Sequence, residues 1–396
     1  MDVETNTLNS NIRVSVSAFG RFAAYRTSAY LQSRNMLENL FTSYPYAIED
    51  VSRDALWNIP YLKVIEALFG RYGPSALRQP VSLRLTRHFD NRVANALPRR
   101  TRSRNGNVFH GLASHCRSTL GRARELGYTT LVDSACPHPR SKVRWLEEEA
   151  DLVGTKFEWS TEWVDTVQEE CETADYILVP SHYSERSFAA EGFPPSKIVR
   201  VPLGVDLSEI GSSGEFRKAD DIFRVLMVGS EPLRKGATYL LQAWRKLNLK
   251  RAELVIRCDV PASVKPLLEF PSVRYIPYCS RKTVINLYRE ASVFCFPSVD
   301  DGFGLVVLEA MAAGLPVVTT EHVGASELIT EGEDGFVVPV RSPDRIAEKL
   351  LFLYENPEVV KTMGTQAGRT AEKYTWQTYG KTLVDAYRCR LRQQDI

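Results

Sequence analysis

The chain has 396 residues, 44% of them apolar and 25% charged, with a formal net charge of +2. That length exceeds what one hydrophobic core usually supports, so two domains are expected, and the near-average composition excludes a disordered or fibrous protein. Seven cysteines without any C-x-x-C spacing offer neither a disulfide framework nor a zinc site, which points to a reducing, cytoplasmic setting.

In chain order, residues 1–11 are polar and lack an apolar core region, and no later run reaches the ~20 apolar residues that span a bilayer. Secretion and membrane insertion are therefore disfavoured, while peripheral attachment to the inner face of a membrane stays open. Short apolar, β-branched runs at 12–17, 41–44, 108–110, 129–133, 176–180 and 198–201 alternate with helical stretches, the pattern of a parallel sheet covered on both faces. Between them, Arg71, Arg78, Arg84, Arg87, Arg92, Arg99, Arg100, Arg102 and Arg104 face only Asp90. This basic stretch reads as a solvated face, or as a surface for anionic lipid headgroups or an acidic acceptor. Aromatic interleaving for base stacking is nearly absent there, so no nucleic acid is expected.

Three histidines follow strand ends. His138 sits in a Cys136-Pro137-His138-Pro139 loop, either as a cleft residue or as a histidine packed between prolines; His110 and His115 flank a turn. Residues 205–222 are rich in Asp, Ser, Gly, Glu and Lys without apolar periodicity and read as a linker. The expected division is 1–205, 206–375 and a closing helix within 376–396. Strands recur at 223–228, 254–257, 273–276, 293–296, 316–319 and 336–338, so the fold class is α/β with two doubly wound Rossmann-like domains. Tyr379, Leu383, Ala386 and Tyr387 recur at helical spacing in the closing helix.

The densest chemistry lies at 296–318. A buried strand ends at Phe296, Gly302 and Gly304 let the backbone approach a ligand, and a helix starts near Leu305. A helix N-terminus of this kind favours a diphosphate. Asp301 in the loop and Glu309 within the helix can address the two ends of a nucleotide-sugar; a tight strand-to-helix turn whose acids merely start a helix is the plainer reading. A second element, Gly229 to Gly236, places Arg234 and Lys235 at the mouth of a strand, where a cation neutralises a departing diphosphate. An exposed turn is the plainer alternative for Arg234. This element matches neither a P-loop nor a dinucleotide fingerprint.

Taken together, Gly302-Phe303-Gly304 with Leu308-Glu309-Ala310, Arg234-Lys235-Gly236, VPLGVD at 201–206, ASELITEGEDGFVVP at 325–339 and the closing helix resemble the family-four glycosyltransferases across most of 198–391. Upstream the likeness is weaker and rests on ADYILVPS at 174–181. The resemblance implies a GT-B fold with a central cleft, the closing helix packing back towards the N-terminal domain, and metal-independent, retaining transfer of a hexose from a nucleotide-sugar to a glycan or lipid-linked acceptor. It implies no cofactor beyond that co-substrate, and the absence of a D-x-D triplet independently weakens a metal-dependent mechanism. By carry-over, Glu309 holds ribose hydroxyls, Asp301 and His138 approach the hexose, and the amides of Phe303, Gly304, Leu305 and Val306 meet sugar and diphosphate. Lys235 compensates leaving-group charge, and Tyr278 and Cys279 lie near the base. Three departures stand out: Asp301 replaces the usual Glu, Ser230 replaces a common Arg for which Arg234 or Arg21 would have to substitute, and the first loop keeps only Gly20 for close approach. A sugar-nucleotide epimerase, a phosphorylase or an inactive nucleotide-sugar-binding protein are the alternatives on this scaffold.

Overall fold

The computed structural model describes residues 12–20, 23–44, 46, 48, 50–98, 106–154, 159–211, 220–258 and 269–394. Arg21, Arg99, Arg100, Arg102 and Arg104 lie outside them, as do residues 212–219 of the expected linker. The first half runs β1 (Arg13–Ala18), α1 (Ala24–Ser33), β2 (Leu37–Thr42), β3 (Leu56–Asn58), α2 (Pro60–Tyr72), α3 (Ser75–Ala96), β4 (Asn107–Leu112), α4 (Arg117–Glu125), β5 (Thr129–Asp133), α5 (Pro139–Leu152), α6 (Thr161–Thr173), β6 (Tyr176–Val179), α7 (His182–Ala190) and β7 (Ile198–Arg200). The second runs α8 (Leu207–Ile210), β8 (Phe223–Val228), α9 (Ala237–Leu247), β9 (Ala252–Arg257), β10 (Val273–Ile276), α10 (Arg281–Glu290), β11 (Val293–Phe296), α11 (Leu305–Ala312), β12 (Val317–Thr320), β13 (Gly335–Val338), α12 (Pro343–Glu355), α13 (Pro357–Ala371) and α14 (Trp376–Gln394).

Two parallel sheets result, ordered β3-β2-β1-β4-β5-β6-β7 and β10-β9-β8-β11-β12-β13. Apolar, β-branched sequences pair in the middle because both faces must be covered by helices: β4, β5, β11 and β12 are buried throughout, whereas the edge strands β3 and β10 are half-buried. In each sheet the order reverses at its centre, beside β1 and β4 and beside β8 and β11, where doubly wound folds bind ligands at the carboxyl ends of strands.

Those carboxyl ends meet. Ser181, capping α7 after β6, donates to Gly302 O at 2.6 Å, the His182 amide donates to Glu327 at 2.7 Å, and Tyr239 donates to Glu149 at 3.0 Å. Helix α14 returns to the first domain: Tyr379 bonds Thr27 at 3.0 Å and Tyr387 bonds His110 Nδ1 at 2.6 Å. One apolar cluster consequently runs from Val16 through Leu203 and Val205 to Phe296 and Tyr387, across both domains. No helix among the described residues is long and apolar enough to cross a membrane.

Strand β2 begins upstream of the expected 41–44, because Glu38 and Asn39 interrupt the apolar pattern in a half-buried segment. Strand β3, a short edge strand, has no periodic signal of its own.

Candidate active site

The loop from β11 to α11 is shaped by its two glycines. Gly304 has φ of +81°, and a side chain there would meet Val323 at 2.6 Å, so only glycine turns the chain into α11 at this point. Helix α11 has no side-chain cap, and its first turn, with half-buried Leu305 and Val306, presents a partial positive charge to an anion. Gly302 serves a different purpose from the expected one. Its missing side chain leaves room for the N-domain backbone, since a Cβ would lie 2.3 Å from Ala135 O and 2.8 Å from Cys136 Cα. Phe303 is 2% exposed, and its amide donates to Asp301 at 3.2 Å.

Lys235 and Asp301 form an ion pair in which the lysine is buried and the carboxylate mostly so, with side chains 8% and 17% exposed. Gly236, at φ +72° with Pro297 O where a Cβ would stand, delivers Lys235 from the end of β8 to this position. Burial pushes the Lys235 ammonium below its usual range, with Asp301 only partly opposing. Burial also pushes the Asp301 carboxyl up, but Lys235 and Arg234 together outweigh it and hold the group below the ordinary aspartate value. Arg234 is not an exposed turn residue: its side chain is 13% exposed, pairs with Glu231 and donates to Asp300 O at 2.8 Å. Two cations thus converge on the mouth of α11. Ser230, where the resembling family has another arginine, is exposed.

Glu309 lies on the same helix, accepting from Tyr288 at 3.0 Å and pairing with Arg281 at 2.8 Å. An aromatic wall links it to the lysine: Lys235 stands 5.3 Å from the Phe296 ring, Phe296 stacks on Phe294 at 6.0 Å, and Phe294 packs on Tyr288 at 5.8 Å. Beyond it, Tyr278 is 77% exposed with the Arg257 guanidinium 5.1 Å from its ring. Arg257 also donates to Gly229 O at 3.1 Å, which ties this platform to the Lys235 loop. Cys279 beside it is half-buried.

His138 is turned away from the cleft. It is fully buried as the cap of α5, with Nε2 bonded to Gln168 at 2.9 Å and its ring edge-on to Phe188 at 5.1 Å. The loop meets the second domain instead through the backbone of Ala135 and Cys136, against Gly302. His110 is likewise internal, bridging Asp133 at 3.2 Å and Tyr387. Burial holds the His115 imidazole near 4, stacked on Phe19 at 5.8 Å. Gly20 is buried just after β1. Sequence reasoning passed over Asp300, which is buried, accepts from Tyr183 at 2.8 Å through one oxygen, and has no partner among the described residues for the other. It also passed over Arg257, Arg281 and Tyr288, whose partners are distant in sequence.

On the N-domain side, a cavity of about 300 Å³ opens beside the end of β4, lined by Arg87, Asn91, Ser114, Arg117 and Glu170 among others. Burial pushes the Glu170 carboxyl up to about 8, although the amides of Cys116 and Ser114 donate to it at 2.9 and 2.5 Å. Between the ordinary value of 4.5 and about 8 the folded chain holds this proton and the unfolded chain does not, so this group's contribution to stability falls as pH rises through that window. Calorimetry should find that Glu170→Gln loses less thermal stability than wild type between about pH 5 and about pH 8; parallel losses would remove Glu170 as the cause.

Among the described residues, no group of three or more His, Cys, Asp or Glu side chains is placed to hold a metal ion.

Residues 222–356 match the family described as "Glycosyl transferases group 1". A D-inositol 3-phosphate glycosyltransferase of Kribbella flavida is 29% identical over 241 residues, covering 55% of this chain and 57% of its own length. The chain thus spans little more than half of that curated relative. Sucrose-phosphate synthase from Thermosynechococcus elongatus superposes with a TM-score of 0.69 at 15% identity, over 96% of this chain and all (100%) of the other. HepE of Anabaena, in complex with UDP and glucose, gives 0.65 at 12% identity, with 96% and 100% covered. These two likenesses establish the overall fold as GT-B.

Proposed function

We propose that this chain, whose residues 222–356 match the group 1 glycosyl transferases, transfers a hexose from a nucleoside-diphosphate sugar to an acceptor hydroxyl, retaining the anomeric configuration without a metal. The observation that carries this reading is the buried Lys235–Asp301 pair at the uncapped start of α11, with Glu309 farther along the same helix. The diphosphate sits against the first turn of α11 with Lys235 and Arg234 beside it. Glu309 accepts from the ribose, Tyr278 stacks on the base, and Asp301 accepts from a hexose hydroxyl as Lys235 turns to the phosphates.

The acceptor enters from the N-domain cavity. Its oxygen bonds to the anomeric carbon on the face from which the bond to the diphosphate oxygen breaks, and its proton passes to that departing oxygen. No protein nucleophile takes part, whereas a double displacement would need a second carboxylate about 5 Å away across the scissile bond. The closed contacts at Gly302 and Glu327 keep water from competing as acceptor. The acceptor is a glycan or a lipid-linked sugar, and the basic surface within 71–104 meets anionic headgroups.

Incubation with labelled UDP-, GDP- and ADP-hexoses, followed by NMR of the product linkage, tests this directly: one donor should give product with the donor's anomeric configuration. Inversion would remove the same-face mechanism, and epimerised free donor would replace transfer by epimerisation. The Glu309→Gln change keeps the shape but exchanges a charged acceptor for a neutral one. It should weaken nucleoside diphosphate binding by about tenfold in calorimetric titration, the difference between charged and neutral hydrogen bonds; unchanged affinity would take Glu309 off the ribose.

A further inference from the structure

Helix α2 carries an apolar stripe that stays exposed among the described residues. Tyr61, Val64, Ile65, Leu68 and Tyr72 recur at i, i+3, i+4, i+7 and i+11, which places them within one face about 100° wide. All are exposed, from 42% at Val64 to 73% at Tyr72, and Leu77 at the start of α3 adds another at 50%. Among the described residues, six of the twelve large apolar side chains left exposed fall within 61–77. Scattered exposed apolar residues are ordinary, but a contiguous run marks a docking surface. The stripe is not a core face turned outward, because the other side of α2 is engaged: Leu62 is buried, Lys63 lies 5.0 Å from the Phe19 ring, and Glu66 receives Lys63 and Ser82.

The charge around the stripe selects its partner. Arg71 on α2, and Arg78 and Arg84 on α3, which packs against α2 with Ser82 level with Glu66, are exposed near it. The acids of this region are occupied, with Asp90 buried on the amides of Ser118 and Thr119 and Glu66 held as above. A second copy docking by two-fold symmetry would bring the same arginines face to face, which like charges oppose. An apolar face rimmed by arginines, with tyrosines towards both ends, fits a lipid interface with anionic headgroups.

We propose that α2 lays Tyr61, Val64, Ile65, Leu68 and Tyr72 into the surface of an anionic bilayer, with the arginines on its headgroups. Helix α2 starts directly after β3, at the carboxyl edge of the sheet, and Lys63 packs on Phe19 in the loop that follows β1. Docking therefore holds the acceptor rim of the cleft at the lipid surface. This deepens the acceptor half of the proposed function, in the case where the acceptor is anchored in lipid.

Sedimentation of the full chain with vesicles of phosphatidylcholine, with and without phosphatidylglycerol, tests it. Wild type should bind the anionic vesicles more tightly, and less so as salt rises. The double change Ile65→Glu and Leu68→Glu should lower that binding by at least about tenfold, and Arg78→Glu with Arg84→Glu should lower it as well. Cleavage of the donor sugar without vesicles should be unchanged in both variants; if wild type shows no such cleavage, the transferase reading fails while the docking result stands. Equal recovery with neutral and anionic vesicles, undiminished binding by the Ile65/Leu68 variant, or a wild-type dimer dispersed by that variant without vesicle binding would each overturn the proposal.

Discussion

Replacing Lys235 by alanine should lower turnover by about 100-fold, equivalent to about 3 kcal/mol of transition-state stabilisation, while leaving the fold intact. Lys235 is 6% exposed and converges with Arg234 on the start of α11, so charge developing on the departing phosphate meets it in a water-poor setting where each donor counts most. The variant leaves the Asp301 carboxylate buried with one partner fewer. Part of any loss in thermal stability therefore belongs to an unpaired charge rather than to catalysis. Single-turnover rates at saturating donor separate the two, since a purely structural defect would lower the active fraction and leave the rate constant unchanged. A wild-type rate constant would take Lys235 out of the reaction.

Gly302→Ala should be nearly as damaging by another route. The added methyl would stand 2.3 Å from Ala135 O and 2.8 Å from Cys136 Cα, both backbone atoms of the opposing domain. Neither can swing aside as a flexible side chain can, so the domains must part or the donor loop must shift. A displacement of about 1 Å at a reacting centre costs about 100-fold in rate. The expected result is a turnover loss of that order with each domain's secondary structure retained, and weaker bonds from Ser181 and Ser184 to Gly302 O, now 2.6 and 3.2 Å. Scattering from the variant should show a more open particle; an unchanged profile together with full activity would mean that the contact at Gly302 plays no part in closure.

The central strands and the loop from β11 to α11 were legible because they are local. A fully buried parallel strand announces itself as an apolar run, and a glycine in the left-handed region before a helix leaves a short signature, as Gly304 does. Arg234-Lys235-Gly236 was legible for the same reason, since the turn needs Gly236 and the turn places the lysine. What distant residues decide was not legible. His138 follows a strand in a proline-flanked loop like a cleft residue, yet Gln168, Phe188 and Phe193 enclose it. The same loop brings the backbone of Ala135 and Cys136 to the interface instead, which only the docking of Gly302 reveals. Tyr288 and Arg281 on Glu309 come from a separate helix, and Arg257 meets Tyr278 only once β9 and β10 pair. The basic surface is legible in the arginines of 71–104, whereas the apolar stripe on α2 is not, because its exposure depends on how the rest of the chain packs.

One nucleotide must reach both Lys235 and Glu309, and thermal stabilisation by nucleoside diphosphates tests this most directly. At a hundredfold excess over the dissociation constant, a ligand of the folded state adds about 2.7 kcal/mol, which raises the melting temperature by several degrees in wild type. One of UDP, GDP or ADP should do so, and both Lys235→Ala and Glu309→Ala should lose most of the shift. If none of the three stabilises wild type, or if one does so equally in both variants, the two residues do not hold a common nucleotide.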